Sequence, residues 1–142
     1  MELYKIPAKA VIPIRQQVLR IGEPEENCWF EGDLLSSTHH FGLHVDRQLV
    51  GIVSVYKNNS NLFTQKNQYQ IRGMAVLQHY QKQGFGEQML AFAEVELKNL
   101  QCDLIWFNAR KVAVGFYEKL GYCSVGHFFD VGQIGEHIVM FK

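Results

Sequence analysis

The sequence has few cysteines, no net charge and no apolar run long enough to cross a bilayer. Its three cysteines, Cys28, Cys102 and Cys123, are odd in number and form no Cys-x-x-Cys pair. That excludes a disulfide framework and a cysteine-built zinc site, and leaves free, mostly buried thiols. Lys+Arg and Asp+Glu each number 14, so no general field draws the chain toward nucleic acid or an anionic membrane. No stretch approaches the ~20 apolar residues of a membrane span. The opening MELYKIPAKA lacks the apolar core of a secretory signal, so a cytoplasmic protein is expected. No repeat, low-complexity tract or linker divides the 142 residues, which make a single domain, 1–142, of common size.

What is present reads as alternating strands and helices. Residues 2–6 suit a short edge strand. Pro13 fits the first turn of a helix that runs through Arg15 and Val18 to about Arg20, because the N–H it lacks is not needed there. Gly22, Pro24 and the polar residues 25–33 read as a long loop, a candidate substrate-facing segment. Phe41, Leu43 and Val45 alternate with smaller or polar residues, and LVGIVSVY (49–56) repeats the pattern across a DRQ turn. A third strand, YQIRGMAV (69–76), changes phase at Arg72-Gly73, where glycine inside a strand marks a bulge.

From 84 to 100 the period is helical, with Met89, Leu90, Ala93, Leu97 and Leu100 on one face. DLIWF (103–107) is a short buried strand. A second helix follows over 112–120, with Val112, Ala113, Phe116 and Leu120 on its apolar stripe and Gly121 as its stop. Residues 122–129 and 136–142 form two last strands.

The segment QKQGFGEQML (81–90) lies between a strand and a helix. Its two glycines allow a tight turn and close backbone approach, and the helix N-terminus aims unpaired N–H groups into that turn. This is an anion site, most naturally for phosphate. A dinucleotide-binding fingerprint would need a third glycine where Met89 stands, and a nucleoside-triphosphate loop would need Gly-Lys-Ser/Thr. Neither is present.

Gln81, Gly84 and Gly86 instead match the Gln/Arg-x-x-Gly-x-Gly/Ala motif of the GNAT acetyltransferases. RGMAV before it resembles that family's bulged fourth strand. NARKVAVGFYEKLGY (108–122) resembles the end of its fifth strand and the following helix, and GEHIVMFK resembles the Gly-x-Pro-His-x-x-Met ending of one subgroup, with Glu136 in place of proline. A proline usual after the fourth strand is replaced by Gln78.

The resemblance implies an α/β (α+β) GNAT fold: a mixed, mostly antiparallel sheet of six to seven strands, about four flanking helices, and a splayed central strand pair. It implies an acyl-CoA-dependent N-acetyltransferase that moves the acetyl group of acetyl-CoA directly onto a primary amine in a ternary complex. Backbone at Met74, Ala75 and Val76 would pair with the pantetheine arm. Amides of Gln81, Lys82, Gln83, Gly84, Phe85, Gly86 and Glu87 would hold the pyrophosphate. Asn108 would steady the cofactor, Gly115 would allow close approach of cofactor or a neighbouring strand, and Phe116 would flank it. Tyr117 stands at the family's general-acid position.

The base is less legible. Glu31, Asp33 and His137 are candidates, the last also as an acceptor-site residue, and a water chain to a carboxylate serves equally. His40 and His44 share a strand face opposite His39, too few for a metal site, so none is expected. The acceptor is a small-molecule or peptide amine of unspecified identity, and the protein a monomer or homodimer, with no nucleic-acid or membrane partner. The alternative is a non-catalytic acyl-CoA-binding or regulatory module on the same fold.

Overall fold

The computed structural model describes residues 1–142, the side chain of Gln133 apart. Among the described residues the order is β1 (Glu2–Ile6), α1 (Ala8–Val18), β2 (His39–Val45), β3 (Gln48–Lys57), β4 (Gln68–Val76), α2 (Phe85–Asn99), β5 (Leu104–Arg110), α3 (Val114–Lys119), β6 (Cys123–Asp130) and β7 (Glu136–Phe141). Four short 3₁₀ turns, at Glu25–Cys28, Gln78–Tyr80, Lys111–Ala113 and Gly132–Ile134, accompany the three α-helices. The seven strands are ordered β1-β2-β3-β4-β5-β7-β6. β1–β2, β2–β3, β5–β7 and β6–β7 pair antiparallel, and β4–β5 pairs parallel. This is the mixed, mostly antiparallel α/β fold expected. Among the described residues no helix is long and apolar enough to cross a membrane. The chain packs as two compact units, Met1–Lys57 with Ile71–Gln101, and Asn58–Gln70 with Cys102–Lys142.

In the first unit β1 is an edge strand on β2, as its length suggested. The β2–β3 hairpin turns on Asp46 and Arg47, both left-handed with φ of 50° and 66°, the twist-compatible geometry of a two-residue loop. Both strands are buried almost throughout, rather than on alternate residues as the sequence suggested. The reason is that each face carries a helix. Ile52 packs with Ile6, Val11, Ile12, Ile14, Cys28 and Ala75 on the α1 side. Gly51 faces α2 so closely that a Cβ there would lie 2.9 Å from the Met89 sulfur, and Phe41 meets Phe92 edge-on at 5.3 Å.

The start of α1 corrects the sequence expectation. Pro7, not Pro13, stands at the helix N-cap, and Pro13 lies inside the helix, where its ring removes one backbone hydrogen bond. Burial of Val11, Ile12, Ile14 and Arg15 carries the helix through that defect. Trp29, in the same unit, is 37% exposed.

In the second unit β4 contributes Gln68, Tyr69 and Gln70, opposite Leu104, Ile105 and Trp106. Parallel pairing follows from the crossover through α2. Leu104, Trp106 and Val139 form a core with Phe63, Val125 and Phe141 packed against it. The Trp106 indole N–H donates to the Asn58 carbonyl at 2.8 Å, and the ring is 7% exposed. The stripe expected on the helix over 112–120 is not a core stripe: Val112 is 92% exposed and Phe116 43%. A 3₁₀ turn at Lys111–Ala113 precedes the α-helix, and its three-residue period breaks the phase assumed for one continuous helix. Cys123 is exposed, unlike buried Cys28, and all three thiols are free.

Candidate active site

In the first unit, β4 ends at Val76, a 3₁₀ turn spans Gln78–Tyr80, and α2 begins at Phe85. Gly73 within β4 has a φ of +67°, which interrupts the two-residue alternation where the sequence changed phase. Gly84 is the N-cap of α2 with a φ of +81°, a conformation that costs glycine nothing. The Gln88 N–H reaches the Gly84 carbonyl at 3.1 Å and closes the first helical turn. The N–H groups of Phe85, Gly86 and Glu87 therefore have no acceptor within the helix. The Gln81 side chain donates to the Val76 carbonyl at 2.9 Å and braces the loop.

The two motif glycines face open space. A Cβ on Gly84 would meet nothing within 4 Å, and one on Gly86 only the tip of Met74 at 4.0 Å. Gly86 costs a helix about 1 kcal/mol relative to alanine, and no packing requires it. The residues thus fit a phosphate-bearing group: bare backbone, unpaired donors and the positive end of a 15-residue helix converge on unfilled space. Ala75 is buried, and Met74 and Val76 are half-buried beside this loop.

The second unit holds the other expected residues. Asn108 pairs across β5–β7 with Val139, and Arg110 with His137, so these four share a face. Asn108 is exposed, whereas His137 is buried, with Nδ1 donating to the Gly135 carbonyl at 3.0 Å and its ring 6.2 Å from Phe129. Phe107 and Met140, adjacent along the ladder, occupy the opposite face.

Tyr117 belongs to that opposite face. Its ring centroid lies 4.5 Å from Phe107, 5.1 Å from Phe116 and 6.2 Å from Tyr122. Tyr117 and His137 are therefore not brought together. Burial pushes the Tyr117 phenol above its ordinary 10.0, against a smaller opposing effect of the Arg110 charge, so it carries its proton at neutral pH. A Cβ on Gly115 would meet nothing within 4 Å, which removes a neighbouring strand as the reason for this glycine.

The long loop does not present Asp33 to a substrate. Asp33 is 4% exposed and faces Arg15, itself fully buried, at 2.6 and 3.1 Å. It also accepts from the Tyr56 hydroxyl at 2.5 Å and the Phe30 N–H at 2.7 Å. Asp33 as a base is thus replaced by Asp33 as the counter-ion of a buried arginine; Glu31 is exposed. The signal was in the sequence: Arg15 follows Val11 by four residues and Ile12 by three, which places it on the buried stripe. A fully buried cation requires an acid.

Around this pair, His40 Nε2 donates to the Asp33 carbonyl at 3.0 Å, and His40 Nδ1 accepts from Ser54 Oγ at 2.6 Å. Burial pushes His40 below 6.5, outweighing the Asp33 contacts that favour its cation. Burial also drives Asp33 upward, but hydrogen bonds from Arg15, Tyr56 and Phe30 and the Arg15 charge together hold it below 3.8. Tyr56 is pushed up to about 12 by burial and then by its bond to Asp33.

Both depressed groups carry the same sign for stability. The unfolded chain takes up a proton at His40 before the folded protein does, so stability falls as pH drops below 6.5. A second decline follows below 3.8, as Asp33 protonates in the unfolded state first. Denaturant titrations at a series of pH values should show both; constant stability from pH 7 to 4 would contradict the neutral, buried His40.

Comparison with known proteins agrees with this architecture. Residues 9–122 match the family model described as Acetyltransferase (GNAT) family. The uncharacterized N-acetyltransferase YitI of Bacillus subtilis (strain 168) is 34% identical over 142 residues, covering 100% of this chain and 95% of the relative. The crystal structure of Escherichia coli ElaA is similar with a TM-score of 0.79 at 18% identity, over 99% of this chain and 98% of that one. A GNAT family acetyltransferase from Elizabethkingia anophelis, solved with acetyl-CoA bound, gives 0.69 at 16% identity, over 99% and 95%. With the family model spanning most of the sequence and a relative at this identity along its whole length, the chain belongs to the GNAT family of acetyltransferases.

Proposed function

We propose that this chain, as one domain over residues 1–142, transfers the acetyl group of acetyl-CoA directly to a primary amine. The observation that carries this reading is the open loop at the start of α2, where Gly84 and Gly86 leave donor-rich backbone uncovered. Amides of residues 82–87 would hold the pyrophosphate, that of Gln81 being already donated to the Gln78 carbonyl at 3.3 Å, while backbone at Met74, Ala75 and Val76 would bind the pantetheine arm as an added strand does. Acetyl-CoA supplies an activated thioester. In the second unit Asn108 would steady the cofactor, Gly115 would admit its close approach and Phe116 would flank it. Tyr117 would give its phenolic proton to the thiolate as the carbon–sulfur bond breaks. Tyr117 suits that step because burial keeps its phenol protonated at neutral pH. His137, on the Asn108 face, is an acceptor-site candidate through Nε2, the ring nitrogen not donated to Gly135.

A thiol-release assay with acetyl-CoA against a panel of amines, with acetylated product detected by mass, tests the reaction. CoA bound without any acetylated product would favour a binding module instead. The loop is tested separately by Gly86→Val. A side chain there meets no protein atom closer than the Met74 tip, so the variant should fold yet fill the phosphate's space. CoA should raise the melting temperature of the parent and leave that of the variant unmoved. Gly84→Val should lose the shift too, but its φ of +81° adds backbone strain, so Gly86 is the cleaner site. A folded Gly86→Val protein with undiminished CoA affinity would remove the loop assignment.

A further inference from the structure

The first unit holds more positive charge in one place than its acids neutralise. Three guanidiniums surround the Phe30 ring: Arg15 at 3.8 Å from its centroid, Arg72 at 4.9 Å and Arg20 at 5.2 Å. Arg72 also lies 5.4 Å from the Tyr56 ring. The carboxylate in this cluster, Asp33, already accepts two bonds from Arg15, one from Tyr56 and one from Phe30. That fills the roughly four acceptor positions a carboxylate has.

Among the described residues the ion pairs are Arg15–Asp33 and Lys111–Glu136, and neutral His40 lies 4.0 Å from Asp33. Arg20 and Arg72 take part in none of them, although both side chains are half-buried. Even buried Arg15 leaves its Nε without an acceptor.

A half-buried arginine without an anion is costly to keep, and aromatic rings offset only part of that cost. Stacking also occupies only the flat face of a guanidinium. Its edge keeps a fork of N–H donors, and that fork matches a carboxylate bidentately. The cluster packs against β4: a Cβ on Gly73 would come within 3.2 Å of Phe30 and 3.5 Å of Arg15 Nε. Arg72 is two residues before Met74, about 7 Å along an extended strand.

We propose, on the acetyl-transfer reading above, that Arg72, which shares the Phe30 ring with Arg20, binds a carboxylate carried by the amine acceptor, so that the acceptor is an amino acid or a similar amine-acid. The same two cations repel polyamines and other polycationic acceptors.

The test uses the full chain with acetyl-CoA and matched acceptors: free amino acids, their amides, the corresponding decarboxylated amines, spermidine and phosphoethanolamine. For at least one side chain the acid should exceed its amide in kcat/KM by about 10- to 100-fold, the range for a hydrogen bond to a charged group. Arg72→Gln should erase that ratio, and Arg72→Lys should restore part of it. Both variants should stay folded and keep the parent's CoA affinity within error. Amides or spermidine acetylated as well as the acids, phosphoethanolamine preferred over every acid, or a ratio that survives Arg72→Gln would each overturn the proposal.

Should no amine be acetylated, the transfer reading fails, and calorimetry of the same amino acids decides the carboxylate site by itself. Binding that Arg72→Gln abolishes upholds it, and absence of binding by any carboxylate overturns it.

Discussion

Asp33→Asn is expected to lower the unfolding free energy by about 3–5 kcal/mol, the usual result of removing one partner from a buried ion pair. The substitution is nearly isosteric, so little packing is lost. It leaves the Arg15 guanidinium, 0% exposed, with neutral acceptors at Cys28 O, Ser54 Oγ and Tyr56 Oη. These can orient the cation but not offset its charge. Against a typical total stability of about 5–15 kcal/mol, the loss would unfold an appreciable fraction of the protein at elevated temperature. Urea titration of parent and variant measures it. Arg15→Met added to Asp33→Asn should recover part of the loss, since the stranded charge is then gone. A loss below about 1 kcal/mol for the single variant would mean that Arg15 is hydrated, contrary to its burial.

Tyr117→Phe should slow acetyl transfer by about 100-fold, the low end of general-acid contributions, because a thiolate is a fairly good leaving group. The ring contacts with Phe107, Phe116 and Tyr122 are preserved by phenylalanine, so folding and acetyl-CoA affinity should change far less. Single-turnover measurement with a true acceptor isolates the step from product release. Burial raises the phenol's pKa above 10.0, so the parent should show no loss of rate from this group between pH 6 and about 9. Equal single-turnover rates for Tyr117→Phe and parent across that range would remove Tyr117 as the acid.

How far the sequence disclosed this molecule depended on whether a feature was local. Gly84 and Gly121 marked the start of α2 and the end of α3 because left-handed residues punctuate helices wherever they occur. The glycine turn before α2 was legible because its two glycines and the helix start lie within ten residues. Arg15 and Asp33 are 18 residues apart, and although a cation on a buried stripe calls for an acid, it does not say which one, so Asp33 read as a substrate-facing loop carboxylate.

Pro13 misled for a different reason. A proline at a helix start and one tolerated inside by tertiary burial look identical in sequence, and only the packing of Val11, Ile12 and Ile14 decides between them. The continuous burial of β3 was likewise hidden, since alternation distinguishes faces only when one of them meets water. His137 stood out by pattern as a candidate, but its bond to Gly135 and its place on the face opposite Tyr117 required coordinates.

The two tryptophans of the chain fall one to each compact unit, Trp29 in the first and Trp106 in the second. Their surroundings differ: Trp29 is partly in water, while Trp106 is enclosed and hydrogen-bonded to Asn58. The protein therefore carries two intrinsic fluorophores of distinct emission, red-shifted for the wetter indole and blue-shifted for the drier one. Replacing either by phenylalanine leaves a spectroscopic reporter confined to one unit. Whether the two units melt together or in succession then becomes a question that intensity against temperature can answer without any added label.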